Sequence, residues 1–223
     1  MKIITKILLL TIIIIFFPLK SFAHVEHYEK VEKFLMEIFK DGKKIGFNNY
    51  TFNKNKENLV IENKTEFNVS ILGLNAFSIK GASKEVYKNN KLVSFKSDTI
   101  QNKKKKFVDL YLNESKESYF IEGSSYVGKV DLDIVIGSWW NHKIIQSEKN
   151  ISPISGSINK QTINFIKKEK INLYGKVYDT KHFVILSKRL NKEDSEERRY
   201  FLLYTSDAAY DSCFLGIGGG EKS

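Results

Sequence analysis

The stretch LVIENKTEFNV, residues 59–69, repeats with a period of two. Leu59, Ile61, Phe67 and Val69 share one face with an Asn and a Thr, whereas charged and amide side chains occupy the alternate positions from residue 62 onward. Successive side chains of a β-strand point to opposite faces of the sheet, so this alternation predicts a strand with one buried face. The chain is therefore expected to be built around a long strand at this position.

Two predicted hairpins frame this strand. Residues 34–40 and 45–52 flank Asp41-Gly42, whose glycine accepts the positive φ of a tight turn. Residues 77–87 and 92–99 flank the sequence KNNK, in which asparagine tolerates the left-handed conformation. Shorter strand-like segments follow at residues 106–112, 118–122, 157–167, 170–178 and 182–189, and the lysine run at 103–106 is interpreted as a solvated hairpin loop.

Short loops without recurring helical periodicity favour an antiparallel meander. The predicted fold is all-β: a single, strongly curved antiparallel sheet that forms an open or partly closed barrel, with one short Trp-bearing helix. That helix is predicted at residues 137–147, where Ser138 would cap it and Trp139, Trp140, Ile144 and Ile145 would form its apolar face.

The two tryptophans have to be covered, because each carries a large apolar surface. One interpretation is a plug packed on the concave face of the sheet, and the other is an aromatic rim at the mouth of a ligand cavity. The two are compatible, since a barrel of about eight strands can hold one small ligand. The predicted ligand-binding residues are Glu85, Trp139, Trp140, Asn141 and His142. No catalytic residue, metal ligand or cofactor is predicted.

The first 23 residues have the pattern of a cleavable signal peptide. Two lysines precede an apolar run at residues 7–17, and Ser21 and Ala23 are small residues at the positions that a signal peptidase reads. The apolar run is shorter than the roughly 20 residues of a membrane-spanning helix. The sequence therefore predicts cleavage between Ala23 and His24, a single β-rich domain at residues 24–201, and a periplasmic location.

The other end of the chain differs in character. LLYTSDAA, residues 202–209, resembles the translated read-through of a sequencing-library adapter, and a glycine-rich stretch follows it. Residues 202–223 are therefore interpreted as a non-native tail that begins at Leu202. A chain that ends at Phe201 is expected to be no less stable than the full chain. Cys213, the single cysteine, lies in this tail, so no disulfide is predicted in the domain.

The chain is basic, with a formal net charge of +10. Only Arg189, Arg198 and Arg199 are arginines, although proteins that read nucleic acids favour the planar guanidinium group. No nucleic-acid partner is therefore predicted. The predicted partners are a hydrophobic small molecule or lipid and, for the lysine-rich exterior, an anionic membrane surface. The sequence predicts no particular oligomeric state.

Three arrangements could carry chemistry, and none forms a complete motif. A processed His24 could chelate a metal through its amine and ring, but no second histidine held by the fold accompanies it. Ser157 and Lys160 match S-x-x-K without the S-D-N and K-T-G companions of serine acyl-transfer enzymes. Glu85 and His142 could form an acid–base pair if the fold joined them.

Three motifs carry a resemblance to a known family. They are DGKKIG at residues 41–46, EVYKNNKLVSFKSDT at 85–99 and SWWN at 138–141. In this order they resemble the bacterial exported family called domain of unknown function 6134, over Phe34 to Phe201. The resemblance implies an exported β-rich domain with no established activity, and it transfers no catalytic residue. The family's closing W-Y-D strand is missing after Phe201, which supports a truncated gene. In the family pattern the second tryptophan recurs, which favours Trp140 as the packed anchor and Trp139 as a cavity wall.

A non-enzymatic binding or carrier module for a hydrophobic or amphiphilic envelope ligand is the function that these features favour. A periplasmic hydrolase is the alternative in a different class. A structural envelope-assembly partner that acts through an exposed sheet edge is the third interpretation.

Processing of the amino terminus is the first testable prediction. In an exporting bacterial host, we expect the mature protein to start at His24 and to be recovered from the periplasm, because Ser21 and Ala23 fit the pockets of the peptidase. Amino-terminal sequencing provides the measurement. Ala23→Arg should leave the precursor unprocessed, and a wild-type protein that retains Met1 would show the prediction to be wrong.

Overall fold

A computed structural model describes residues 31–40, 43–71, 74–173, 175–190, 197–205 and 212–218. The predicted cleavage site at Ala23 and His24 lies outside these residues, as does the Asp41-Gly42 turn. Among the residues described, no helix combines the length and the apolar sequence that crossing a membrane would require.

Fourteen strands form one sheet within the described ranges. The first eight are β1 (Lys33–Lys40), β2 (Lys43–Lys54), β3 (Asn58–Ile71), β4 (Leu74–Lys88), β5 (Lys91–Gln101), β6 (Lys104–Leu112), β7 (Tyr119–Gly123) and β8 (Val127–Val130). The other six are β9 (Val135–Ile136), β10 (Lys149–Ile151), β11 (Ile158–Leu173), β12 (Lys176–Arg189), β13 (Arg198–Thr205) and β14 (Ser212–Gly218).

The strand order is β8-β7-β6-β5-β4-β3-β2-β1-β14-β13-β12-β11-β10-β9. Two meanders, β1–β8 and β9–β14, therefore meet where β1 runs parallel to β14. Apart from this pair and the parallel pair of β9 and β10, neighbouring strands are antiparallel. The all-β class and the large antiparallel sheet are confirmed, but no strand pairing among the described residues closes a barrel.

The long strand and its two hairpins are found where the sequence predicts them. β3 contains the whole alternating stretch, and it pairs with β2 on one side and β4 on the other. Between β4 and β5 the turn is made by Asn89 and Asn90, with φ of 49° and 61°. These left-handed values give the strands the twist of a tight hairpin, which explains the two asparagines.

Several predicted boundaries are wrong. The lysine run at 103–106 is not a loop, because Asn102 and Lys103 form the turn and β6 begins at Lys104. The strand predicted at 157–167 falls mostly within β11, whereas the segment predicted as one strand at 170–178 covers the end of β11 and the start of β12. Both strands continue through polar sequence that resembles a loop. A cross-strand hydrogen bond joins the polar parts of β11 and β12, because the backbone carbonyl of Glu169 accepts the Thr180 hydroxyl at 2.9 Å.

The predicted helix at 137–147 is also wrong in its extent. Trp139 and Trp140 lie in a turn, and only His142–Ile145 forms a short 3-10 helix. Its cap is Asn141, whose side-chain oxygen accepts the N–H of Lys143 at 3.0 Å, and not Ser138. The Ser138 hydroxyl instead donates to a carboxylate on β4, so a tertiary hydrogen bond replaces the expected cap.

The core lies on one face of the sheet and takes residues from both meanders. Trp140 is its largest fully buried side chain, at 1% exposure. The strands of the two meanders supply the other large members, which are Met36, Ile38, Ile61, Phe95, Leu110, Ile121, Ile151, Ile185 and Leu202.

β13 continues across the predicted domain boundary at Phe201. Leu202 is completely buried and belongs to the core, and β13 pairs with both β12 and β14. The structure therefore predicts that a chain ending at Phe201 is less stable than a longer one, because removal of Leu202 would uncover core contacts. The adapter-like sequence predicts no such loss.

Two truncated chains distinguish these expectations. A chain that ends at Phe201 should have a free energy of unfolding lower by at least about 2 kcal/mol than a chain that ends at Thr205, since loss of a buried leucine side chain costs about 2–5 kcal/mol. Denaturant unfolding of both chains gives the difference. Equal stabilities would support the interpretation of residues 202–223 as a non-native tail.

Candidate functional site

A cavity of about 730 Å³ lies between the two meanders. Strands β1 to β5 line one side and β10 to β13 the other, while residues 137–139, 144 and 152–154 contribute from the connecting segments. Small-molecule sites in proteins typically have volumes of about 300–1,000 Å³. The cavity is therefore large enough for a small organic ligand.

Small side chains aligned across neighbouring strands create this space. Thr65 lies opposite Gly81, which in turn lies opposite Thr99. In the next row Ser83 of β4 lies opposite Ser97 of β5. Because side chains in these rows project from the same face of the sheet, their small volumes leave room above the backbone. A Cβ atom at Gly81 would lie 2.6 Å from the Thr99 hydroxyl, so the sheet itself is tightly packed at this point.

In the row that follows these two, a buried carboxylate organises the core next to the cavity. Glu85 is 1% exposed. Its Oε1 accepts the Ser138 hydroxyl at 2.5 Å and the indole N–H of Trp140 at 3.0 Å, and its Oε2 accepts the Tyr87 hydroxyl at 2.8 Å. Three donors from β4 and the 138–140 turn thus satisfy a group that would otherwise be costly to bury.

Burial dominates the electrostatics of this cluster. Desolvation raises the pKa of Glu85 above its ordinary value of 4.5, although the hydrogen bonds from Ser138, Trp140 and Tyr87 oppose that shift. Burial, followed by the negative charge of Glu85, raises the pKa of Tyr87 well above its ordinary value of 10.0. Tyr87 is therefore a neutral hydrogen-bond donor, and Glu85 is engaged with protein groups on both oxygens.

The two tryptophans have different surroundings. The Trp140 ring meets Phe52 and Tyr87 edge to face, with centroids 5.6 Å and 5.8 Å away, as in a well-packed aromatic core. Trp139 is half-buried in the cavity wall, and its ring lies 5.6 Å from that of Tyr200. Its backbone N–H donates to the Tyr50 hydroxyl at 3.2 Å, which joins this wall to β2.

Carboxamides form a polar belt around the cavity. On the first meander Asn63 donates to Asn48 at 2.5 Å, and Asn48 donates to the Tyr50 hydroxyl at 3.0 Å. On the second meander Asn150 donates to Gln161 at 2.7 Å. These hydrogen bonds link side chains of neighbouring strands and hold the polar part of the cavity lining in place.

Apolar side chains occupy another part of the lining. Phe67 and Phe77 have ring centroids 5.8 Å apart, and Val69 and Ile79 lie beside them on the same faces of β3 and β4. The lining also contains charged residues, namely Lys40, Arg189, Glu197, Arg198 and Arg199. The cavity is therefore amphiphilic.

Of the five predicted ligand-binding residues, only Trp139 lines the cavity in the described structure. Glu85 and Trp140 are buried in the core and do not line the cavity, and the Asn141 side chain reaches this cluster through a hydrogen bond to Tyr87. His142 is half-exposed at the start of the 3-10 helix. Sequence reasoning missed the small-residue rows and the arginines, because both become visible only when strand register is known.

The other chemical candidates gain no support. Ser157 is 1% exposed and its hydroxyl donates to the Asn159 side chain at 3.2 Å, while Lys160 is exposed on β11. Within the described ranges, no group of three or more His, Cys, Asp or Glu side chains is arranged to hold a metal ion. His24 lies outside those ranges.

These features define a class of all-β protein in which one large, mainly antiparallel sheet carries an amphiphilic cavity. The chain belongs to the family described as domain of unknown function (DUF6134), whose model matches residues 36–202. This match confirms the family that the three sequence motifs indicate. No curated protein and no solved structure matches the chain.

The buried carboxylate predicts a pH dependence of stability. Because folding raises the pKa of Glu85, its favourable contribution is fully present below the unfolded pKa and is lost as pH rises through the folded pKa. The free energy of unfolding of the wild type should therefore fall, relative to that of Glu85→Gln, as pH rises above 4.5. Urea unfolding at a series of pH values measures this difference.

Glu62→Gln is the matched control, since Glu62 is exposed on the neighbouring strand. Its pH curve should run parallel to that of the wild type over the same range. If the free energies of unfolding of the wild type and Glu85→Gln changed with pH in parallel, burial would not raise the pKa of Glu85.

Proposed function

We propose that the protein is a non-enzymatic binding or carrier module for a hydrophobic or amphiphilic envelope ligand. The observation that carries this proposal is the cavity of about 730 Å³, which exists because rows of small side chains leave the space above β3 to β5 unfilled. Apolar residues such as Phe67, Phe77 and Trp139 line it. A ligand that fills the space would gain dispersion contacts that the protein does not make with itself.

The energetics favour a ligand with a substantial apolar part. Burial of one methylene contributes about 0.8 kcal/mol, so a chain of about ten methylenes offers about 8 kcal/mol before the cost of association is subtracted. Because that cost is of the order of 4–15 kcal/mol, each added methylene improves the balance. The proposed ligand is therefore an acyl or alkyl chain of roughly this length or longer.

We further propose that the sheet is curved into a partly closed barrel around the ligand. The backbone N–H of Ser125, in the β7–β8 turn, donates to the carbonyl of Ser155 at 2.8 Å, so a loop of the second meander lies against the first. A Cβ atom at Gly123 would lie 2.9 Å from the same carbonyl. Glycine thus permits the close approach on which this curvature depends.

The proposed setting is the bacterial periplasm, where residues 1–23 would direct export. The support is the pattern of lysines, apolar run and small residues at the amino terminus. Cleavage after residue 23 would remove Lys2, Lys6 and Lys20 and lower the formal net charge from +10 to +7. This remaining positive charge would draw the carrier to an anionic membrane surface, from which an amphiphile could be taken or to which it could be delivered.

The end strand β8 favours a second candidate, the structural partner. Val127 on this strand is 63% exposed, and the outer edge of β8 has no neighbour among the described strands. Such an edge can pair with a strand of another chain. The hydrolase alternative has less support, because the Glu85 carboxylate lies beneath Trp140 and accepts hydrogen bonds from three protein groups.

The two tryptophans permit a direct test, since the chain has no others. Trp140→Phe leaves Trp139 as the fluorophore in the cavity wall, whereas Trp139→Phe leaves Trp140 in the core. On titration with 1-dodecanol, the emission of Trp140→Phe should change and that of Trp139→Phe should stay constant. Organic extraction of the purified wild type, followed by mass spectrometry, should also release an amphiphile.

Alanine variants separate packing from binding at the same positions. Trp140→Ala should lower the free energy of unfolding by about 3–5 kcal/mol, as buried aromatic truncations do. Trp139→Ala should cost much less stability but weaken the binding of dodecanol. If dodecanol changes neither emission and the wild type yields no amphiphile, the cavity is not a ligand site and the sheet-edge role becomes the better interpretation.

A further inference from the structure

We propose that the ligand carries an anionic oxygen headgroup, a carboxylate or a phosphate ester, and that Arg189 and Arg198 bind it at the cavity mouth. This inference rests on the proposed carrier function and specifies its ligand class.

Strand register places both guanidinium groups on the cavity face. On β12 the alternation puts Ile185, Ser187 and Arg189 on one side, and Ile185 is 1% exposed, which identifies that side as the inner one. On β13 Arg198 shares its face with the buried Leu202. Ser187 lies directly opposite Arg198, so Arg189 and Arg198 are diagonal neighbours.

The distribution of arginine in the chain is uneven. Lysine and arginine together number 36, of which three are arginines, and all three of these line the cavity. Lysine supplies the charge elsewhere. A guanidinium differs from an ammonium group because its planar fork of donors matches the two oxygens of a carboxylate or phosphate. The residue type suited to bidentate oxyanion binding is therefore found where a ligand could reach it.

The balance of charge at the lining is positive among the described residues. The lining there contains four cationic residues, Lys40, Arg189, Arg198 and Arg199, and one carboxylate, that of Glu197. Arg198 is exposed and Arg189 is half-buried, so the two lie where the cavity meets solvent. An amphiphile could then leave its headgroup at the arginines and its chain among the apolar residues.

The two arginines also repel each other. Burial and, after it, the positive charge of Arg198 lower the pKa of Arg189. An anion between them would relieve this repulsion. Each guanidinium has five N–H donors, so it can hold a protein group and still present donors to a ligand.

The test compares dodecyl ligands that differ only in their headgroups. Dodecyl phosphate, dodecanoate, 1-dodecanol and dodecyltrimethylammonium are titrated into the full chain, and the dissociation constants are measured by calorimetry. We expect both anions to bind about a hundredfold more tightly than dodecanol, with about tenfold from one charge-assisted hydrogen bond to each arginine. The two anions distinguish a fatty acid from a phospholipid-type headgroup. Added salt should weaken the binding of the anions but not that of dodecanol.

Arg189→Gln and Arg198→Gln should each remove about tenfold of the preference for anions, and the double variant should bind all headgroups like dodecanol. Lys188→Gln is the matched control, because Lys188 is exposed on the opposite face of β12 and its loss changes the net charge equally. This control should keep the preference.

The outcomes separate the two proposals. Equal binding of dodecyl phosphate, dodecanoate and dodecanol by the wild type would overturn the headgroup assignment and leave the carrier function in place. An equal loss in Lys188→Gln would also overturn it, since the effect would then be one of net charge. Failure of all four ligands to bind would overturn the carrier function itself. The salt dependence of the wild type gives a result even if the double variant does not fold.

Discussion

The buried carboxylate of Glu85 is the constraint on which the rest of the structure depends. A carboxyl group that is 1% exposed has to find hydrogen-bond partners inside the protein, because water cannot reach it. Its partners come from two places, Tyr87 on the same strand and the Ser138–Trp140 turn of the other meander. These bonds fix the turn and hold the Trp140 ring over Phe52. The need of the buried Glu85 carboxyl group for hydrogen bonds thus fixes the position of Trp140, the largest buried side chain of the core.

The cavity follows from this arrangement together with strand pairing. Trp140 fills the space above the row that contains Glu85, whereas the next rows carry Ser83, Ser97 and Gly81 and remain open. Trp139, adjacent to Trp140 in the chain, is directed into the wall of that open region. In the proposed carrier, stability and binding would therefore depend on neighbouring residues, and a change in one property need not abolish the other.

The positive charge of the cavity lining is not explained by packing of the core. Folding alone does not favour placing two guanidinium groups beside each other, since like charges repel. The arrangement of Arg189 and Arg198 instead supports the proposed anionic headgroup, and the proposed membrane partner rests on the lysine-rich composition. An amphiphile combines the apolar chain and the charge that these two features would recognise.

The sequence by itself determined the strand class, because the period of two in residues 59–69 and the turn residues Asn89 and Asn90 act through local backbone geometry. The family motifs are also visible in the chain. Tertiary structure alone decided that Ser138 and Trp140 leave a helical pattern, because their partner Glu85 lies 53 and 55 positions away. It also decided the cavity and its arginines, since pairing register aligns small residues from separate strands, and local periodicity contains no information about which strands become neighbours.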